Sequence, residues 1–115
     1  MSFKLFTRKK SSRNNPTVAI LKTGNMYFNG KFCEEFFKNV KYFNLYFDNE
    51  NKKIGIKPVE NPEIYSYSVR EDSDRSGFAI SAKSFYDECK IQYPETKGYN
   101  AQWNDEEKLI EVKIQ

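Results

Sequence analysis

The side chains of this sequence that could perform chemistry are few, and their surroundings argue against catalysis. The chain has 115 residues and no histidine, so it lacks the commonest general base and the commonest metal ligand. Cys33 and Cys89 fall on predicted helices without the histidine that activates a cysteine nucleophile. Clustered carboxylates fall on a predicted helix surface, a loop and a hairpin turn: Glu34/Glu35, Asp72/Asp74 and Asp105/Glu106/Glu107. We therefore expect a protein that is not an enzyme and has no cofactor or metal.

Basic residues are concentrated at the N-terminus. Residues 1–15 carry a charge of +5 with no acid, whereas residues 16–115 carry 14 bases and 16 acids. Lys and Arg can neutralise phosphates without a fixed structure, so this segment is either a nucleic-acid-binding arm or a solubilising arm. The candidate nucleic-acid-binding residues are Lys4, Arg8, Lys9, Lys10, Arg13, Lys22, Lys52 and Lys53.

Aromatic and apolar side chains suggest further contacts. Aromatic residues make up 17% of the chain, and some of them could stack on single-stranded bases or pack in the core. The candidates for stacking are Tyr42, Tyr65, Tyr67 and Tyr99. Near the N-terminus, Phe3, Leu5 and Phe6 form an apolar cluster that could dock on a protein assembly.

The expected location is a reducing interior. Two cysteines are too few for a disulfide framework, which favours the cytoplasm, or the host-cell cytoplasm for a viral protein. No apolar run approaches the roughly 18 to 20 residues that a membrane span needs, so we expect no membrane partner.

The pattern along the chain predicts a flexible basic tail over residues 1–16 and one domain over residues 17–115. Alternating apolar residues predict strands, and the 3–4 spacing of Phe32, Cys33, Phe36 and Phe37 predicts a helix. The predicted strands are Thr17–Leu21, Met26–Phe28, Tyr42–Phe47, Lys53–Val59, Ile64–Val69, Phe78–Ile80, Tyr99–Trp103 and Leu109–Ile114. The predicted helices are Gly30–Asn39, capped by Asn29, and Ala82–Lys90, capped by Ser81.

An internal repeat is the most specific signal in the sequence. At an offset of 56 residues, the segment 44–58 matches 100–114 with five identities in fifteen positions. Upstream the offset is 52, where Lys31 meets Lys83. Convergence of two hairpins is one explanation, and duplication is the other. We predict an α+β fold of two pseudo-symmetric strand–helix–β-hairpin repeats, about 17–60 and 64–115, that share one core. Phe47 and Trp103 should then be equivalent core residues.

The first repeat resembles the swapped-hairpin DNA-binding domain of the AbrB/SpoVT transition-state regulators. The turn and short strand at 23–28, the helix around 32–37 and the hairpin at 45–59 follow the order of elements in that family. Asn25 replaces the basic residue after the turn glycine, and Asn29-Gly30 replaces the proline that opens the helix. The segment 48–58 is also similar to small uncharacterised proteins of phages and archaea. The resemblance implies a DNA-binding topology in tandem.

Two functions are consistent with these patterns. The first is a non-catalytic nucleic-acid-binding protein, such as a transcriptional regulator. The second is a viral (phage) structural or accessory protein whose N-terminal tail docks on a larger assembly.

Overall fold

The computed structural model describes residues 15–69 and 77–114. Within these ranges there are two helices of seven residues each, α1 (Gly30–Phe36) and α2 (Lys83–Cys89). Strands β1 to β8 follow in chain order as Thr17–Ile20, Asn25–Phe28, Tyr42–Asp48, Lys53–Val59, Tyr67–Ser68, Phe78–Ser81, Lys97–Asn104 and Leu109–Lys113.

All these strands belong to one antiparallel sheet, in the order β5-β3-β4-β8-β7-β1-β2-β6. The sheet is nearly closed and barrel-like. The Phe28 ring of β2 lies 5.1 Å from the Phe78 ring of edge strand β6 and 5.4 Å from the Phe43 ring of β3, measured between centroids. Tyr67 of the opposite edge strand, β5, stacks on Phe43 at 5.4 Å. Aromatic rings therefore connect the two ends of the sheet across its interior.

The core lies on the inner face of this sheet. Ile54, Ile56, Ile110 and Val112 are fully buried because alternate residues of β4 and β8 face inward. Phe32 and Cys33 of α1 and Tyr86 of α2 are also fully buried, so each short helix contributes side chains to the same core. The Tyr86 hydroxyl donates to the Asn25 carbonyl at 3.2 Å, which ties α2 to β2.

The predicted α+β class is wrong, because the fold is mostly antiparallel β with two short helices. The predicted helix Gly30–Asn39 ends at Phe36, and Asn39 has a φ of +64° that no longer belongs to a helix. The pairings β1–β7, β2–β6 and β4–β8 join the two halves of the chain into one continuous sheet. These pairings join residues far apart in sequence, so the pattern of each segment alone does not reveal them.

The two long hairpins nevertheless have the same register. Phe47 pairs with Ile54 and Trp103 pairs with Ile110, which is the same pairing displaced by the 56 residues found in the sequence. The turns also agree, since Lys52 and Lys108 have φ values of +54° and +56°. The expectation of a common hairpin register is confirmed.

Three local predictions fail. Trp103 is 45% exposed, not buried, although it lies at the position equivalent to Phe47, which is only partly buried. The residue that caps α2 is Ala82, without a side-chain hydrogen bond, because Ser81 is still paired with Asn25 in the sheet. The strand expected at Ile64–Val69 is reduced to Tyr67–Ser68, since a turn bond from Ser66 N–H to the Glu63 carbonyl precedes it.

Candidate nucleic-acid interface

Most of the predicted basic site lies outside the described residues. This holds for Lys4, Arg8, Lys9, Lys10 and Arg13, and also for the apolar residues Phe3, Leu5 and Phe6. The described part of the chain contains 12 lysines, no arginine and 13 acidic residues, so its own net charge is −1. The excess of positive charge therefore lies in residues 1–14, and the described residues carry a slight excess of negative charge.

The three predicted site residues that the structure describes do not form one cluster. Lys22 is exposed in the β1–β2 turn, where its backbone N–H donates to Thr96 Oγ1 at 3.1 Å. Lys52 is in the β3–β4 turn, where its ammonium group donates to Asn49 Oδ1 at 2.8 Å and lies 6.0 Å from the Phe47 ring centroid. Lys53 follows at the start of β4 on the outer face.

The structure places a second lysine beside Lys53. Lys113 of β8 is directly opposite Lys53 across the β4–β8 ladder. Glu111 lies on the same strand as Lys113, and its carboxylate is 3.4 Å from the Lys53 ammonium and accepts a hydrogen bond from Asn104 Nδ2 at 2.8 Å. Lys113 has no ion pair with any described residue. We call Lys53, Lys113 and Glu111 the basic patch. Its single carboxylate balances only one of the two ammonium groups, so the basic patch has one net positive charge.

Neutral amides extend the basic patch across the outer face. Asn100 and Gln102 of β7 are exposed and line a shallow groove of about 470 Å³ together with the patch. The chain enters the fold beside this groove, because Thr17 pairs with Asn100 and the Pro16 carbonyl accepts from Ala101 N–H at 3.0 Å. Amides and ammonium groups of this kind donate hydrogen bonds to phosphate oxygens.

The four candidate stacking residues differ in how far they are exposed to solvent. Tyr65 is 64% exposed, whereas Tyr42, Tyr67 and Tyr99 are half-buried. Tyr46 and Trp103 are exposed aromatic residues that sequence reasoning did not select. The alternation of apolar residues could not have revealed that Trp103 is exposed. Trp103 occupies an inward-facing position of β7, but near the hairpin turn the core no longer covers that position.

Lys113 was also missed by sequence reasoning. The 56-residue repeat aligns Lys113 with Lys57, which suggests only that the two have equivalent places in their hairpins. Its neighbour Lys53 is 60 residues away in sequence and is reached only through the β4–β8 pairing. The juxtaposition is therefore a property of the tertiary fold.

Two groups near the first hairpin have shifted titration behaviour. Hydrogen bonds from the Asn51 side chain, followed by the Asn51 and Glu50 backbone N–H groups, lower the pKa of Asp48 below its ordinary value of 3.8. Burial, and then the Glu88 carboxylate, raise the pKa of the Cys89 thiol. Asp48 is thus a carboxylate and Cys89 a thiol at neutral pH, which gives Cys89 little nucleophilic character.

The described ranges 15–69 and 77–114 contain neither a candidate metal site nor a membrane-spanning helix. No group of three or more His, Cys, Asp or Glu side chains there is arranged to hold a metal ion. Neither of the two helices there is long and apolar enough to cross a membrane.

No protein-family model, curated protein sequence or solved structure matches this chain.

Proposed function

We propose that this protein binds nucleic acid without catalysis, and that its basic N-terminal residues supply most of the affinity. The observation that carries the proposal is the charge asymmetry: +5 in residues 1–15, against a net −1 for the described residues. Contacts between such residues and phosphates release counterions and require no sequence-specific geometry.

The basic patch, which belongs to the folded part of the chain, also supports this proposal. Asn15 and Pro16 lie at the start of β1, where the Asn15 carbonyl accepts a hydrogen bond from Asn29 Nδ2 at 3.0 Å. The chain therefore leaves the fold next to β7, whose neighbour β8 carries Lys113. A nucleic-acid backbone held by residues 8–13 would lie within reach of Lys53 and Lys113, which adds phosphate contacts to those of the tail. A role in transcription, as the family resemblance implies, is a narrower form of the same proposal.

The test measures how binding depends on salt. We expect the full-length protein to bind a short fluorescein-labelled DNA duplex, with a slope of log affinity against log salt of roughly −4 to −6, about −0.9 for each of five phosphates on the tail and of up to two on the basic patch. Fluorescence anisotropy between about 50 and 200 mM salt gives the slope. A variant with Arg8, Lys9, Lys10 and Arg13 changed to Gln should lose most of the affinity and reduce the slope to roughly −1 to −3, the contribution of Lys4 and of the basic patch.

Two variants on the fold provide the matched comparison. Lys53→Gln/Lys113→Gln should reduce the slope by about 1 to 2, since it removes up to two phosphate contacts. Lys38→Gln removes the same charge per residue from an exposed position after α1, outside the patch and the candidate binding residues, so it should leave the slope unchanged. Full-length protein that binds neither DNA nor RNA at about 50 mM salt would refute the proposal and favour the accessory-protein function.

One feature of the structure favours the second function, an interaction or accessory protein. An aromatic groove lined by Tyr46, Phe47, Tyr65 and Phe85 lies between β3 and α2, and exposed aromatic side chains of this kind are typical of surfaces that contact a polypeptide.

A further inference from the structure

Strand β3 has an edge that the sheet leaves half unpaired. Strand β5 pairs only with Tyr42 and Phe43 at the start of β3. The Val69 N–H donates to the Lys41 carbonyl at 2.8 Å, so odd-numbered residues here direct their backbone groups to the β5 side. Leu45 and Phe47 follow the same alternation, and no described residue pairs with their N–H and C=O groups on that side. Such an edge is a template for one more strand.

A groove of about 620 Å³ runs between this open edge and helix α2. On its inner side, the Phe47 and Phe85 rings meet edge to face with centroids 6.5 Å apart. Tyr46 and Tyr65 line the same groove and are 48% and 64% exposed. Half-buried Cys89 of α2 also lines the groove. The groove therefore combines unpaired backbone groups with an apolar, mainly aromatic surface, as expected of a site for an extended polypeptide.

The chain itself contains a segment of suitable chemistry and sufficient length. Phe3 and Leu5 flank Lys4, so in an extended strand they share one face, with Lys4 and Phe6 on the other. Residues 1–14 precede the described part of the chain. The ten residue-to-residue steps between Leu5 and Asn15 can span up to about 33 Å when extended.

The point at which the chain enters the fold lies level with the groove. The Pro16 carbonyl is bonded to Ala101, and the ladder continues from Ala101 to Val112, from Val112 to Ile54 and from Ile54 to Phe47. Pro16 and Phe47 thus occupy one cross-strand row, about four strand spacings or 19 Å apart along the sheet. The added strand lies one spacing further, about 24 Å from Pro16. The reach of about 33 Å exceeds this distance, with residues to spare for the curvature of the sheet.

The charges around the groove complement this segment. Glu88 lines the groove, and Asp87 precedes it on α2. Asn49 brings the β3–β4 turn, with its acids Asp48 and Glu50, to the groove. Among the described residues that line the groove, Lys90 is the only basic one, and Lys52 of the β3–β4 turn places its ammonium group 6.0 Å from the Phe47 ring centroid, so acidic side chains outnumber basic ones around the groove. Residues 1–15 contain no acid and carry +5.

We propose that residues 3–6 of the chain's own N-terminus bind as an additional strand along the open edge of β3, with Phe3 and Leu5 in the groove beside Phe47 and Phe85. The backbone of this strand pairs with Leu45 and Phe47. The basic residues from Arg8 to Arg13 follow this strand and remain available for phosphates. Phe3 and Leu5 hold the strand in the groove, whereas these basic residues supply most of the phosphate contacts, so the two proposals can fail separately.

Cys89 provides a reporter within the full-length protein. A strand in the groove shields its thiol from an added aromatic disulfide reagent, whereas fully buried Cys33 serves as the slow internal reference. In the variant Phe3→Ser/Leu5→Ser we expect Cys89 to react about tenfold faster or more than in the unchanged protein. The reagent can then reach the thiol without prior dissociation of the strand from the groove. Lys4→Gln, on the other face of the strand, should leave the rate unchanged.

Adding the N-terminal segment back as a peptide tests whether the loss of Cys89 protection comes from the two apolar side chains. A synthetic peptide of residues 2–13 should restore the protection of Cys89 in Phe3→Ser/Leu5→Ser, and the same peptide with both serines should not. Equal Cys89 rates in the unchanged protein and in the folded double variant would overturn the proposal and leave the groove open to a foreign polypeptide. Protection that falls on dilution would also overturn it, because the strand would then come from a second copy. The salt slope of DNA binding, measured on the same variants, tests the proposed function independently.

Discussion

Phe28 and Trp103 offer a direct test of where the core ends. Both are large aromatic residues on inward-facing strand positions, and the sequence predicts a core position for Trp103. In the structure Phe28 is fully buried and Trp103 is 45% exposed. Replacing each with alanine should therefore have very different effects on the free energy of unfolding.

The expected magnitudes follow from burial and ring contacts. Removing a fully buried Phe side chain costs about 3 to 5 kcal/mol. Phe28 should lie at the upper end, since its ring contacts those of Phe32, Phe37, Phe43 and Phe78 at centroid distances of 5.1 to 5.5 Å. Trp103 loses only part of its transfer free energy and leaves an open surface instead of a cavity, so Trp103→Ala should cost about 1 to 2 kcal/mol.

Urea denaturation followed by far-UV circular dichroism measures both values. This signal is preferable to fluorescence, because Trp103 is the single tryptophan of the chain. Phe28→Leu provides an intermediate variant in case Phe28→Ala does not fold, with an expected cost of about 1 to 3 kcal/mol. The slope of free energy against urea should remain similar among folded variants.

The reasoning would be refuted if Trp103→Ala and Phe28→Ala destabilised the protein equally. Such a result at low protein concentration would mean that Trp103 is covered within the monomer. A destabilisation that appears only at high concentration would mean that another copy covers it, and would leave the monomer core as described.

Two further predictions concern backbone conformation and pH. Gly77→Ala should destabilise the protein by about 2 kcal/mol or more in thermal melts, because φ is +78° and a Cβ there would lie 2.2 Å from the Phe28 carbonyl oxygen. Gly98→Ala, whose Cβ would meet nothing within 4 Å, is the matched control and should be near neutral. The lowered pKa of Asp48 stabilises the fold above its ordinary value of 3.8, and this contribution is lost as pH falls through the lower folded-state pKa. Asp48→Asn should therefore show a smaller drop in melting temperature between pH 6 and pH 3 than the unchanged protein, and an equal drop would contradict the assignment.

Local patterns predicted most elements because short-range interactions determine them. Asn29 caps α1 as expected, with its side chain accepting from Phe32 N–H at 2.8 Å. The β3–β4 and β7–β8 hairpins were predicted with their turns, since alternation and a polar turn suffice to specify a hairpin. The lengths of the helices were overestimated, because apolar spacing continues through Phe37 after the helix has ended at Phe36.

The candidate site was less accessible to such reasoning. Lys53 was selected for its charge, but its neighbour Lys113 and its ion-pair partner Glu111 come from the last strand. The groove beside β3 depends on β5 being only two residues long and on α2 lying opposite, and neither is visible in the pattern of β3 itself.

The sequence by itself determined the charge asymmetry, the absence of histidine, the hairpin repeat and the order of strands and helices, because these depend on composition and on residues close together in the chain. Only the tertiary structure decided that β1, β2 and β4 pair with strands of the other half, that Trp103 lies beyond the cover of the core, and that an edge of β3 remains open. The physical reason is that cross-strand pairing and burial depend on contacts between distant segments, and the periodicity of a single strand is compatible with many such partners.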